Sequence, residues 1–151
     1  MNFTVEFLIR FQHCDPAGIV FYPRYYEMLN QVVEDWFADA LHWSFADMAR
    51  RRSEGVPLVN ARCDFLRSSQ IGERITFTLE LTHIGRKSFT VIITGTCAGT
   101  TRLRAELVLV YVRTAERLEP IPLPDELRGR MQPYLSPVPS PLPARSPADE
   151  I

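Results

Sequence analysis

The spacing of apolar residues changes near the start of the chain. Apolar side chains first alternate with mostly polar ones, at Phe3, Val5, Phe7, Ile9 and Phe11. This period of two predicts a strand with one buried face. After Pro23 the apolar residues recur every three or four positions, at Tyr25, Met28, Leu29, Val32, Val33, Trp36 and Phe37. That spacing predicts a long α-helix with one apolar face.

A second, shorter helix is predicted from Ser44 to Arg52. The segment ends in three arginines and is followed by Gly55 and Pro57. Cations suit the negative end of a helix dipole, and Gly and Pro commonly follow a helix end. We interpret the arginine run as a solvated helix end.

Four segments that read as strands follow these helices. The first two, PLVNARCDFL and ERITFTLEL, alternate apolar and polar residues at 57–66 and 73–81. The last two, FTVIITGTC and RLRAELVLVYVR, cover residues 89–97 and 102–113. Leu107 to Val112 is apolar on both faces, which predicts a central strand.

The order of these elements predicts the fold class. Strands that follow one another without intervening helices indicate an α+β domain with an antiparallel sheet, and the long helix covers one face of that sheet. An antiparallel sheet wrapped around one long central helix is the hot-dog fold. We assign this domain to residues 1–119.

The remaining residues, 120–151, have a different composition. Nine of the twelve prolines lie between Pro120 and Pro147. Proline lacks the N–H that helices and sheets need, and the apolar content here shows little periodicity. We expect a largely flexible extension, loosely attached from Pro120 to Arg130 and partly polyproline beyond.

Composition narrows the function classes. Apolar residues make up 46% of the chain, charged residues 23%, and the net charge is −1. This is typical of a soluble globular protein, and it lacks the basic excess that nucleic-acid binding needs. No signal peptide or membrane span is apparent. The three scattered cysteines lack zinc-ligand spacing, so we expect reduced thiols in a cytoplasmic protein. No second histidine cluster completes a metal site, so we expect no metal, and we expect no organic cofactor either.

The candidate chemistry lies at the entrance to the long helix, in QHCDPAGIVFYPRYYEM at residues 12–28. Asp15, followed by Pro and Gly, is also ordinary turn chemistry. The apolar residues after Gly18, however, are unusual for a solvated turn. The helix that begins near Tyr22 has free N–H groups that can hold an oxyanion. A carboxylate opposite such donors is a minimal site for acyl hydrolysis.

Two motifs resemble a known family. CDPAGIVFYPRYYEM at residues 14–28 strongly resembles the signature of the 4-hydroxybenzoyl-CoA thioesterase branch of the hot-dog superfamily, and GRKSF at 85–89 resembles a later stretch of that branch. The resemblance implies that Asp15 is the catalytic nucleophile or general base, and that the Tyr22 backbone N–H faces the thioester carbonyl. It also implies that Gly18 shapes the same loop. The residues implied to contact the coenzyme A phosphates are Arg86, Lys87 and Ser88.

These observations together predict an acyl-CoA thioesterase that releases a free acid and coenzyme A. An aromatic acyl group resembling 4-hydroxybenzoyl is favoured, since four aromatic residues stand near Asp15. The four are Phe21, Tyr22, Tyr25 and Tyr26, and they either line an acyl pocket or belong to the core. Of these, we assign Tyr25 to substrate binding. By resemblance, we expect a homodimer or homotetramer with sites between subunits.

Other interpretations stay open at this point. A hot-dog enoyl-CoA hydratase or dehydratase would pair an Asp with a His, and His13 is adjacent to Asp15. A non-catalytic module that binds acyl-CoA or an acyl carrier would not need Asp15. Glu34 lies on the polar side of the helix, where another hot-dog branch carries a catalytic glutamate, although a solvated helix charge fits it better. His13 and Cys14 point to opposite faces of an extended segment, which disfavours a joint metal or nucleophile site.

Overall fold

Five strands form one antiparallel sheet that covers a long helix. The computed structural model describes residues 1–136 and 138–139. In chain order its elements are β1 (Phe3–Leu8), α1 (Tyr22–Asp35), α2 (Phe45–Asp47), β2 (Glu54–Gly55), β3 (Leu58–Phe65), β4 (Arg74–Ile84), β5 (Ser88–Cys97), β6 (Thr100–Val110), β7 (Val112–Arg113), β8 (Glu119–Pro120) and α3 (Asp125–Met131). The main sheet has the order β1-β4-β5-β6-β3, and β2, β7 and β8 form a small second sheet. The predicted α+β class is confirmed.

The long helix is the centre of the core. Pro23 occupies its first turn, where the missing N–H costs nothing. All seven apolar positions of the predicted stripe are buried, and α1 continues as a π-helical turn at Trp36–Ala40. The stripe packs against the inner face of the sheet, where alternate residues of β4 from Ile75 to Leu81 are fully buried. The predicted helix is therefore confirmed, as is the short one, which Ser44 caps by accepting the Asp47 N–H.

The first strand ends earlier than predicted. Alternation continues to Phe11, but β1 stops at Leu8 because its partner β4 begins at Arg74, directly opposite. The chain then turns, with the His13 imidazole accepting the Arg10 N–H at 2.9 Å. Phe11 lies in this turn and is 84% exposed. The apolar alternation thus continues past Ile9, whose N–H still donates to the Glu73 carbonyl at 2.8 Å.

One strand lies at a position that its pattern did not predict, and another lies where its pattern predicts. The alternation in β3 suggested a buried face, yet β3 is an edge strand that pairs only with β6, and Leu58, Val59 and Phe65 are exposed. The doubly apolar run predicted to form a central strand lies largely in β6, which has a neighbouring strand on each side, as predicted. The main-chain groups on the outer side of β3 face no further strand of the described chain.

The C-terminal segment differs most from expectation. Residues after Pro120 were predicted to be loosely attached, but Leu123, Leu127 and Met131 are buried in the main core. The Ser136 N–H donates to the Leu81 carbonyl at 2.7 Å, which ties the segment to β4. Prolines interrupt this segment, but apolar side chains at helical spacing attach it to the core. The rest of the predicted tail, at 137 and 140–151, lies outside the described residues.

Candidate active site

Asp15 lies in a tight hairpin loop. Cys14 pairs with Val20, the Asp15 N–H donates to the Ile19 carbonyl at 3.0 Å, and the Gly18 N–H donates back to the Asp15 carbonyl at 2.9 Å. Gly18 has φ +78°, a conformation that favours glycine. The Ala17 N–H donates to Asp15 Oδ1 at 2.9 Å. The carboxylate is therefore oriented through one oxygen, and Oδ2 has no hydrogen-bond partner among the described residues.

The second arm of this hairpin runs directly into α1. The Phe21 N–H donates to the His13 carbonyl at 2.9 Å, which closes the hairpin one residue before the helix begins. The Arg24 N–H returns to the Phe21 carbonyl, and Pro23 has no N–H. The Tyr22 N–H thus remains without an acceptor in the described part of the chain, at the positive end of a helix of 14 residues. The hairpin brings this donor and the Asp15 carboxylate to the same end of the helix.

A second loop, at residues 69–72, supports the hairpin from beneath. Its Ser69 is fully buried, and the Ser69 carbonyl accepts the Val20 N–H at 2.9 Å. The Ile71 N–H reaches the Gly18 carbonyl at 3.4 Å, and Ile19 forms a bridge with Gln70. The position of the Asp15 loop therefore depends on this supporting loop.

An ion pair fixes the supporting loop to the sheet. Arg102 donates from both terminal nitrogens to the Glu73 carboxylate, at 3.1 and 2.9 Å, and also to the Ser68 carbonyl and Ser69 Oγ. Glu73 in turn accepts the Gln70 N–H at 2.6 Å. The hydrogen bonds from Arg102 and Gln70 lower the pKa of Glu73 to about 2. The carboxylate therefore stays ionised across the physiological range.

Five aromatic rings form a cluster beside the helix N-terminus. Its members are Phe21, Tyr22, Tyr25, Tyr26 and Phe65. The Phe65 ring centroid lies 5.6 Å from that of Tyr25 and 6.3 Å from those of Tyr22 and Tyr26, and Phe21 contacts Tyr22 at 5.6 Å. Tyr25 is only 5% exposed, and burial raises the pKa of its hydroxyl. The other members of this aromatic cluster are exposed. Tyr25 thus lies beneath the surface that the other rings present.

The turn with Arg86, Lys87 and Ser88 is far from Asp15 within one chain. It joins the end of β4 to the start of β5, whereas the hairpin's supporting loop precedes the start of β4. The 11 residues of β4 span roughly 30 to 35 Å when extended. One protomer therefore does not bring this turn and Asp15 together.

The remaining candidates have local surroundings that explain them. The His13 imidazole is engaged by the Arg10 N–H, and burial together with the Arg10 charge lowers the His13 pKa. Glu34 is exposed on α1. All three cysteines are free and half-buried, and burial raises the pKa of Cys63 to about 12. The described residues contain no group of three or more His, Cys, Asp or Glu side chains suited to a metal ion.

Sequence reasoning missed three residues around the hairpin: Phe65, Glu73 and Arg102. Phe65 ends an alternating strand and looked like a core residue. Glu73 and Arg102 are separated by 29 positions, and only the pairing of β4, β5 and β6 brings them together. Their one sequence signal is that each charged residue lies at the end of a strongly apolar strand.

No helix among the described residues is long and apolar enough to span a membrane.

Curated relatives carry names of one enzyme class. A 1,4-dihydroxy-2-naphthoyl-CoA hydrolase from Nostoc punctiforme is 28% identical over 127 residues, which is 84% of this chain and 84% of that protein. A 4-hydroxybenzoyl-CoA thioesterase from Pseudomonas sp. strain CBS-3 is 28% identical over 131 residues, covering 82% of this chain and 92% of that protein. Both similarities extend well beyond the Asp15 motif.

Solved structures agree with the fold. The 1,4-dihydroxy-2-naphthoyl-CoA thioesterase from Synechocystis superposes with a TM-score of 0.79 at 24% identity, over 87% of this chain and 96% of that one. The 4-hydroxybenzoyl-CoA thioesterase structure from Pseudomonas sp. strain CBS-3 gives 0.79 at 24% identity, over 85% and 98%. The family model of the thioesterase-like superfamily matches residues 9–131. The chain therefore belongs to the thioesterase-like superfamily and is a thioester hydrolase with the hot-dog fold.

Proposed function

We propose that this enzyme hydrolyses an aromatic acyl-CoA thioester to the free acid and coenzyme A. The observation that carries the proposal is the hairpin at the helix entrance. It holds the Asp15 carboxylate and the unpartnered Tyr22 N–H at one end of α1, with Asp15 Oδ2 free of hydrogen bonds among the described residues. These are the two functions that acyl hydrolysis needs: an attacking or activating oxygen and an oxyanion donor.

The proposed reaction has two alternative forms, which differ in the role of Asp15. Asp15 Oδ2 attacks the thioester carbonyl, or it removes a proton from a water that attacks. The Tyr22 N–H then donates to the oxygen on which negative charge develops. Collapse breaks the C–S bond and releases coenzyme A, whose thiolate takes up a proton. If Asp15 was the nucleophile, water then hydrolyses the mixed anhydride and restores the carboxylate.

The aromatic acyl group is supported by two observations. The exposed rings of Phe21, Tyr22, Tyr26 and Phe65 form a surface beside the helix N-terminus, and aromatic rings pack favourably on one another. The two curated relatives described above are named for hydroxylated aromatic acyl-CoA substrates. Tyr25 supports this surface by packing beneath Phe65 rather than by direct contact with the acyl group.

We also propose that the complete site needs two subunits. Arg86, Lys87 and Ser88 are the residues proposed to bind the coenzyme A phosphates, but in one protomer they lie at the opposite end of β4 from Asp15. An antiparallel partner copy would bring its own turn next to this hairpin. The exposed edge strand β3 offers the backbone groups for such an association.

Replacing Asp15 with Asn tests the proposal. The Asn side chain keeps an oxygen for the Ala17 N–H, so the loop is retained while the charge is lost. We expect turnover of 4-hydroxybenzoyl-CoA to fall by about 10²- to 10⁴-fold, as is typical when an acid–base group is removed. Asp47→Asn, at an exposed helical position, serves as the matched control and should turn over substrate normally.

The same assay separates the alternatives. An Asp15→Asn variant that hydrolyses at the original rate would overturn the catalytic role, and binding without any turnover by the wild type would indicate a binding module. Hydration of an enoyl-CoA would indicate a hydratase. Comparing aromatic with aliphatic acyl-CoA thioesters tests the acyl group. In a single turnover in ¹⁸O-labelled water, label found in Asp15 would identify it as the nucleophile.

A further inference from the structure

The basic turn after β4 has a backbone that is held from outside the turn. Within the turn the Gly85 N–H donates to the Ser88 carbonyl at 2.7 Å. The carbonyls of residues 85, 86 and 87 all accept hydrogen bonds from later parts of the chain. Tyr111 donates its N–H to the Lys87 carbonyl at 2.8 Å, and Leu123 donates its N–H to the Arg86 carbonyl at 3.0 Å. The turn is therefore not a free hairpin tip.

Arg128 supplies the remaining contacts. One terminal nitrogen of its guanidinium donates to the Gly85 carbonyl at 2.7 Å and to the Arg86 carbonyl at 3.2 Å. A charged donor between two carbonyls forms stronger hydrogen bonds than a neutral group would. Arg128 thus bridges two consecutive residues of the turn.

The helix that carries Arg128 is itself firmly anchored. Leu127, its sequence neighbour, is fully buried, as is Met131 at the end of α3, and Leu123 is buried just before the helix. Arg128 therefore extends from a firmly packed helix, and the backbone of residues 85–87 is held by Arg128 of α3, by Leu123 just before α3, and by Tyr111 between β6 and β7.

The side chains of Arg86 and Lys87 are exposed, and no acidic partner is recorded for either among the described residues. Arg128 forms no ion pair there either. Two cationic residues of the turn and a third that contacts its carbonyls thus belong to one segment whose backbone is fixed in place. Such an arrangement favours an anion that carries several charges, such as the nucleotide phosphates of coenzyme A.

We propose that Arg128 is a positioning residue for nucleotide recognition: it fixes the turn so that Arg86 and Lys87 meet the phosphates of the substrate together. This inference rests on the proposed function and extends it to α3, a helix in the proline-rich part of the chain. Arg128 does not act at the reacting atoms. Its loss should therefore weaken binding of the nucleotide without slowing the chemical step.

The test compares two thioesters of the same acid. One is 4-hydroxybenzoyl-CoA, and the other is the 4-hydroxybenzoyl thioester of pantetheine, which lacks the nucleotide and its phosphates. For Arg128→Met we expect KM for the CoA thioester to rise on the order of tenfold at unchanged kcat, equivalent to about 1.4 kcal/mol. Both constants for the pantetheine thioester should stay unchanged. Arg128→Lys, which keeps the charge and one donor, should give a smaller rise and serves if the Met variant does not fold.

Arg130→Met is the matched control. Arg130 lies on the same helix and also donates to two carbonyls, those of Leu41 and His42, away from the turn. It should leave KM for both thioesters unchanged. The proposal is overturned if Arg128→Met leaves KM unchanged for both thioesters, raises KM equally for both, or changes kcat alone. It is also overturned if the wild type has the same KM for the two thioesters. Failure of the wild type to hydrolyse either one would instead refute the proposed function.

Discussion

Replacing Glu73 with Gln should destabilise the protein in a way that depends on pH. The substitution keeps the size of the side chain but removes the charge that faces Arg102, whose side chain is only 12% exposed. Arg102 would then retain its charge in a largely buried place without its carboxylate partner. Removing one member of a buried pair is costly for this reason.

The pKa of Glu73 gives the magnitude. Hydrogen bonds from Arg102 and Gln70 lower this pKa from 4.5 to about 2. A displacement of that size corresponds to about 3 kcal/mol of folding free energy. The Glu73 side chain is 29% exposed, and solvent screening reduces the expected loss to about 2 kcal/mol at pH 7.

The sign of the pH dependence follows from the lowered pKa. The stabilisation is complete above the unfolded-state pKa near 4.5 and is lost as the pH falls toward about 2, the value in the folded state. Urea unfolding of both proteins at pH 7 and pH 3, at one protein concentration, measures the difference. We expect the gap in free energy of unfolding to shrink by roughly half at pH 3.

A surface ion pair provides the control. Glu6 faces Arg74 at 3.2 Å with both side chains more than half exposed, so Glu6→Gln should cost less than about 0.5 kcal/mol at either pH. The reasoning is refuted if Glu73→Gln costs no more than Glu6→Gln at pH 7. It is equally refuted if the Glu73→Gln gap is the same at pH 7 and pH 3.

Two further substitutions test other parts of the fold. Leu127→Ala should lower the free energy of unfolding by about 2 to 5 kcal/mol because it empties a fully buried position in α3; a loss below 1 kcal/mol in urea unfolding would mean that α3 is only loosely attached. Val59→Lys places a charge on the exposed edge strand β3, which discourages pairing with another strand. If β3 forms the proposed contact between subunits, sedimentation should then show a shift toward the monomer with unchanged circular dichroism, and an unaltered assembly would exclude β3 as the contact.

Local patterns predicted most of the core correctly. The seven apolar residues of the stripe, five in α1 and two in the π-helical turn that follows, are all buried, because a period of 3.6 is read directly from neighbouring turns. The β4 alternation succeeded for the same reason. The Asp15 motif could be located because turn chemistry and a helix start adjoin each other in the sequence, and the resemblance supplied its roles. The residue roles themselves stay predictions.

The failures concern the position of a strand or segment in the whole molecule. β3 has the alternation of a half-buried strand, yet nothing local reveals that it lies at an edge. Likewise, the prolines after residue 119 suggested a loosely attached and flexible extension, although Leu123, Leu127 and Met131 are buried in the main core. Arg102 and Glu73 meet only because the sheet order brings them together. Each error reflects contacts between residues far apart in sequence.

The separation of Asp15 from the basic turn has a genetic consequence under the proposed arrangement. Each chain would give its carboxylate to one site and its cations to the other, at the two ends of β4. A chain lacking only Asp15 and a chain lacking only Arg86 would each be defective alone. Mixed in one dimer, they would leave one site intact and the other doubly impaired. Two inactive alleles would thus complement each other within a single protein.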